Sequence, residues 1–251
     1  MEWRKLAPYR TVYVLLSLYV ILVAAISVFA KQSMLRLRFG QRLLDNVFDL
    51  PGFWGYLMYV SGYFTLFLSV LIISLVCNEW EFRTLRQHVA DRLPRWLAVA
   101  SKSLVAVGLS LFATGLIFTV GALVGIWPEG PRSEMIGHIA PGLGRFWLQT
   151  FGYLSLAMLA GFTLRRTGLA LAAFVLYVVV GEAVLGWILA RWVADVTPYL
   201  PAQALANVIE TPFARFTGAP RLVSGSAVAI AGAYALAFNV VSYGVVARSD
   251  L

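Results

Sequence analysis

The chain has 251 residues, 60% of them hydrophobic and only 13% charged, with a formal net charge of +8. Soluble domains carry about a quarter charged residues, so this composition excludes a soluble fold and, with it, a basic nucleic-acid-binding face; the Lys and Arg excess instead orients membrane segments and meets anionic headgroups. The single cysteine, Cys77, excludes an intrachain disulfide, and two histidines, His88 and His138, are too few and too far apart for a His/Cys metal site.

Trp3-Arg4-Lys5 before an apolar run imitates a secretory leader, with Val28-Phe29-Ala30 resembling a cleavage site. The run 11–30 is longer than a leader core and reads as a retained first span. A hydrocarbon core of ~30 Å needs about 20 helical residues at ~1.5 Å each. By that measure the further spans are 53–77, 98–127 (charge-free from 103), 146–164, 168–190 and 222–247. Backbone groups in lipid must be satisfied within the segment, so each span is a helix. The expected fold is therefore a single all-α transmembrane domain over 1–251, with six transmembrane helices and both termini cytoplasmic. Orientation rests on Arg4, Lys5 and Arg10 ahead of the first span and on the turn Arg165-Arg166-Thr167. The overall count of Lys and Arg, eleven inside against nine outside, adds only a weak bias.

Between the first two spans, 31–50 is basic but also holds Met34, Leu35, Leu37, Phe39, Leu43 and Leu44, which places it along the outer headgroups. Between the fifth and sixth, 191–221 carries four prolines and short apolar pieces such as 202–209, too short to cross. These read as re-entrant or interfacial helices packed on the bundle. Gly121 and Gly125 form a GxxxG pair on the third span, serving either intrachain packing or a dimer contact. Trp54, Tyr56, Trp127, Trp147 and Trp187 lie near span ends, as interfacial anchors do.

The most charged stretch, "NEWEFRTLRQHVADRLPRWLAVASK", occupies 78–102 between the second and third spans. Phe82, Leu85, Val89 and Leu93 recur at spacings of three and four, the pattern of an amphipathic helix over about 79–93, and Pro94 ends it. Glu79 and Arg83 form an i,i+4 pair worth ~0.2–0.5 kcal/mol. Either this helix is a solvated connector in the interface, or it is where a cytosolic engine grips, since the other cytosolic parts are short.

In this stretch Glu79-Trp80-Glu81-Phe82-Arg83-Thr84-Leu85, then Leu93-Pro94-Arg95, then Lys102 resembles a motif of type-2 ABC exporter permeases. That motif runs roughly Glu-x-Glu-x-Gly-Thr-Leu, then Pro-x-Ser-Arg, then Lys. Arg83 stands where Gly is usual, and Arg92-Leu93-Pro94 replaces the usual Pro-x-Ser. The resemblance covers the whole chain in layout but specific residues only over 79–102. It implies a membrane subunit in the bacterial cytoplasmic membrane, working with a second copy or a sister permease on two ATP-binding subunits that hold ATP and Mg. The chain has no GxxxxGK[ST] loop of its own, so it is expected not to be an enzyme. The helix 79–93 would be a cytosolic coupling helix, with Glu79 and Glu81 bracing the joint to the second span. Glu79, Glu81, Arg83, Thr84, Arg86, His88 and Arg95 would lie on the partner-binding segment, and Lys102 would anchor the third span to lipid phosphate. Cargo is not legible; few polar residues at mid-membrane point to an apolar or lipid-like one. The alternative is a non-transporting module that transmits ATP-driven motion to, or scaffolds, an extracytoplasmic partner.

Glu182 is the one acid inside an expected span. It either lines a pathway or holds a proton, or else it snorkels outward or pairs with Arg191. Ser61, Thr65 and Ser69 recur every four residues and either line a pathway at a dimer axis or hydrogen-bond within the bundle. Intramembrane proteolysis finds no support: no histidine lies within a span, and no second acid accompanies Glu182.

Overall fold

The computed structural model describes residues 10–37, 50–81, 95–125, 133–192, 196–209 and 224–248, and every regular element among them is helical. In chain order these are α1 (Arg10–Leu37), α2 (Leu50–Glu81), α3 (Arg95–Gly125), α4 (Ser133–Leu164) and α5 (Thr167–Leu176). A π-helical turn (Tyr177–Gly181) continues into α6 (Glu182–Leu189). A 3-10 turn (Thr197–Tyr199), α7 (Pro201–Ala206) and α8 (Ser224–Ala247) follow.

Five stretches are long and apolar enough to cross a membrane: Val12–Phe29, Phe53–Trp80, Trp96–Leu123, Thr167–Leu189 and Gly225–Ala247. The protein is thus a helical, multi-pass membrane protein. More than half of Phe53–Trp80 (56%) is buried inside the protein, against 17% of Val12–Phe29 and of Thr167–Leu189. So α2 is central, and α1 and α5–α6 are peripheral with apolar flanks facing outward.

The expected span 146–164 falls within α4, which is not among these five. Gln149, Thr150, Tyr153 and Ser155 dilute its apolar character. Its packing is nonetheless the most extensive in the bundle, against α2, α8, α3 and α5. Met58 lies against Gly142, Gly62 against Gln149, and Val76 against Gly161. Rising numbers meet rising numbers, so α2 and α4 run parallel in close register. Leu57, Leu68, Ile72, Ile73, Phe146, Leu154, Met158 and Phe162 fill the core with Tyr19 and Val23 of α1. Pro141 lies inside α4 ahead of the charge-free portion, where it forgoes one backbone bond.

α3 runs the other way beside α2, with Gly121 against Trp54 and Leu57. A Cβ at Gly121 would come within 2.6 Å of the Trp54 ring, so this glycine serves close approach inside the chain. Trp54 is accordingly buried, edge-on to Phe53 and tilted on Phe118, rather than an interfacial anchor. Trp187 does stay exposed, with the Arg191 guanidinium 4.0 Å above its ring.

Boundaries differ from the sequence reading in informative ways. α1 continues through Lys31–Leu37 instead of ending at 30, and 38–49 lie outside the described residues. The link between α4 and α5 is two residues, not three. Arg165 adopts φ 57, donates its N–H to Gly161 O at 3.0 Å and so closes α4, while Arg166 is extended. A left-handed arginine costs about 1–2 kcal/mol. Its guanidinium sits 4.2 Å above the Trp80 ring, an attraction that offsets part of this cost.

α8 is tied in by one polar node. The Ser103 hydroxyl donates to Asn239 Oδ1 at 2.6 Å, and Asn239 Nδ2 donates to Ser155 Oγ at 3.0 Å and to Ala235 O at 2.8 Å. One side chain therefore bridges α3, α4 and α8. Asn239→Leu is expected to lower stability by ~0.6–2 kcal/mol, read as an earlier transition in a detergent-to-SDS unfolding titration. An unshifted transition would show that the node carries no net energy.

Candidate functional site

Two polar constellations stand out against the apolar bundle, one where α2 ends beside the α4–α5 turn and one beside the middle of α4. The first lies where α2 leads into the charged segment. Glu79 and Lys102 are 23 positions apart in sequence, yet Lys102 Nζ lies 2.7 Å from Glu79 Oε1 with both residues buried, at 1% and 9% exposure. α2 continues unbroken through Glu81, which is why Glu79 points into the bundle. Lys102 follows two helical turns into α3.

This corrects two expectations. Lys102 does not reach out to lipid phosphate; its ammonium is sequestered beside a carboxylate, because an isolated buried charge is far more costly than a paired one. Glu79 is turned inward against Lys102 rather than offered to a partner surface, and it belongs to the span-two helix rather than to a separate one starting at 79. The neighbouring Trp80 carries Arg165 on its ring. Together the two contacts bind the end of α2, the start of α3 and the α4–α5 turn to one another. Glu81 closes α2 and Arg95 opens α3, and the side chains of both lie outside the described residues. So do Arg83, Thr84, Arg86 and His88 and the remainder of the expected helix 79–93.

The second constellation surrounds Glu182, which is 1% exposed. The π turn before it sets its direction. In such a turn the N–H of residue i+5 bonds to the carbonyl of residue i, and the Glu182 N–H does so to Tyr177 O. Residues five apart therefore stack, and the Tyr177 hydroxyl donates to Glu182 Oε1 at 2.8 Å. The same oxygen accepts the N–H of Ala202, and Oε2 accepts the N–H of Gln203 at 2.7 Å. Ala202 and Gln203 open α7, whose own N-cap residue, Leu200, has no side-chain acceptor. Glu182 thus supplies from another helix what Ser or Asp usually supplies at an N-cap.

Glu182 therefore neither snorkels nor pairs with Arg191, which is exposed and stacked on Trp187. Three hydrogen-bond donors accommodate the charge instead. The segment it caps, the described part of the 191–221 connection after 195, packs on the bundle. Ala202, Ala204, Leu205 and Val208 are buried, and Leu205 occupies the space left by Gly152 of α4. The Tyr153 hydroxyl donates to Ala202 O at 2.9 Å, and the Tyr234 hydroxyl to Tyr199 O at 2.8 Å.

Ser61, Thr65 and Ser69 are all buried within the chain, so they do not line an outward face at a dimer axis. Ser69 Oγ donates to Thr65 O at 3.1 Å. Among the described residues, Ser61 Oγ and Thr65 Oγ1 have no hydrogen-bond partner, and neither do Gln149 Oε1 and Thr150 Oγ1 of α4. The parallel register sets these four at similar depth, so a polar seam runs through the middle of the α2–α4 contact. Gln149 and Thr150 belong to no sequence motif. Their polarity in an otherwise apolar run was the available signal.

No protein-family model matches the chain, and no curated protein matches it.

Proposed function

We propose that the chain is the membrane-spanning subunit of an ATP-driven exporter of the type-2 ABC kind, driven by a separate nucleotide-binding subunit at the segment 82–94. The observation that carries this reading is the Glu79–Lys102 pair. It joins the first acidic residue of the motif to its last basic one, so the helix entering the charged segment and the helix leaving it are bound at their roots. A push on that segment then moves α2 and α3 together, and Arg165 on Trp80 passes it to α4 and α5. Six crossings fit the packing: α4 lies parallel and in register with the membrane-crossing α2, and α5 returns after a two-residue link. In this arrangement both termini and the 82–94 segment face the cytoplasm. Two copies, or one copy and a sister permease, would sit on two ATP-binding subunits that supply ATP and Mg.

Affinity purification from its own membrane in mild detergent tests the proposal. A nucleotide-binding subunit is expected in equal amount, with its ATPase rate altered by the membrane subunit. Arg86→Glu with Arg95→Glu is expected to abolish that co-purification while the bundle stays folded. Recovery of the chain without any ATPase, or full ATPase coupling in the charge-reversed variant, would overturn the reading.

A further inference from the structure

The fold-back segment 197–206 is small, and its polar attachments converge on a few side chains. Three of them meet on the Glu182 carboxylate: the Tyr177 hydroxyl and the backbone N–H groups of Ala202 and Gln203. Two tyrosine hydroxyls, of Tyr153 and Tyr234, hold its carbonyls from α4 and α8. Its berth is cut by glycines. Gly152 receives Leu205, and Gly186 receives Thr197 and Leu200, with a Cβ at Gly186 coming 3.1 Å from Thr197 Cγ2.

We propose that residues 197–206 form a plug that seats and unseats as a unit, with the Glu182 carboxylate as its latch. The energetic logic is two-state. When the plug is seated, the carboxylate and the two amides satisfy one another. When it is withdrawn into water, each is hydrated. Any arrangement between these leaves a charged acceptor or two buried N–H groups without partners, which costs far more than either end state. Interfaces built this way switch rather than deform gradually. The seated plug lies against Gly152 and Tyr153, next to Gln149 and Thr150 of the polar seam. Withdrawal would open that mid-bundle polar region to the side of the membrane from which the plug enters. The π turn fits the role, since it is what aligns Tyr177 with Glu182.

The test uses single-cysteine reporters in full-length protein carrying Cys77→Ser, in lipid nanodiscs, with a membrane-impermeant maleimide. Val208→Cys reports on the plug from its C-terminal edge, where Val208 is 2% exposed and its N–H bonds to Leu205 O, and Val105→Cys reports on α3, where Val105 is 4% exposed. In Glu182→Gln the amide nitrogen turns a donor toward the α7 N–H groups. Labelling of the plug reporter is expected to rise about tenfold to a hundredfold from the loss of charge-assisted bonds. Tyr177→Phe removes one bond and keeps both backbone bonds, so a smaller rise of severalfold is expected. The α3 reporter is expected to stay protected throughout. Wild-type labelling of Val208→Cys in Glu182→Gln would overturn the proposal. So would equal exposure of both reporters, because the carboxylate would then only be holding the fold together.

Discussion

Lys102→Met lowers the stability of the bundle by about 3–5 kcal/mol, because it leaves the Glu79 carboxylate buried without its ammonium. A salt bridge on the surface would be worth only ~0–1 kcal/mol, but here both partners are almost fully enclosed. Glu79→Leu combined with Lys102→Met removes the carboxylate as well and is expected to recover most of the loss, since apolar replacement of a whole buried pair is often neutral. A denaturation titration of the single and double variants in mixed micelles reads both effects. A single variant within ~0.5 kcal/mol of the wild type would show that water reaches the pair. The double variant also separates folding from transmission: it is expected to remain folded while any ATPase subunit bound to it loses coupling.

Gly121→Val is the second large effect. Even one added carbon would lie 2.6 Å from Trp54 Cη2 and Cζ3 and 3.2 Å from Leu57 Cδ2, and a flat buried indole has nowhere to retreat. Overpacking of this kind costs about 1–3 kcal/mol, and valine's branching falls at the upper end. Trp54→Leu in the same chain frees the space and is expected to restore a large part of the loss, giving a coupling energy of ~0.5–3 kcal/mol in a double-mutant cycle. Strict additivity of the two changes would mean that α2 and α3 do not meet at this point. An unchanged monomer–dimer equilibrium in Gly121→Val would further assign this glycine to intrachain packing.

Membrane spans are legible in sequence because lipid allows few alternatives. Twenty apolar residues with their backbone groups to satisfy become a helix, and five of the expected spans were recovered to within a few residues, save where α1 runs on to Leu37. α4 shows the limit of that signal. It is the best-packed helix because Gln149, Thr150, Tyr153 and Ser155 face protein, and the same residues weaken its apolar signature. The roles of charged residues were less legible. Lys102 at a span end reads equally as a snorkelling lysine or as half of a buried pair, and only the three-dimensional approach of Glu79 decides between them. Glu182 is identifiable as an exceptional acid, but two of its three partners are backbone amides 20 and 21 residues away, which carry no side-chain signature. The π turn has no composition of its own that would distinguish Tyr177–Gly181 from ordinary apolar helix.

The parallel register of α2 and α4 has an electrostatic consequence. Two like-oriented helices side by side bring their negative poles together, about −0.5 elementary charge each. The N-termini of α3 and α5 lie at the same end and offset those poles at about +0.5 each, which leaves the Glu79 carboxylate with Lys102 and Arg165 as the net charges there. With the poles balanced, the carboxylate and the two cations set the local potential, and the end of the bundle carries a net positive charge.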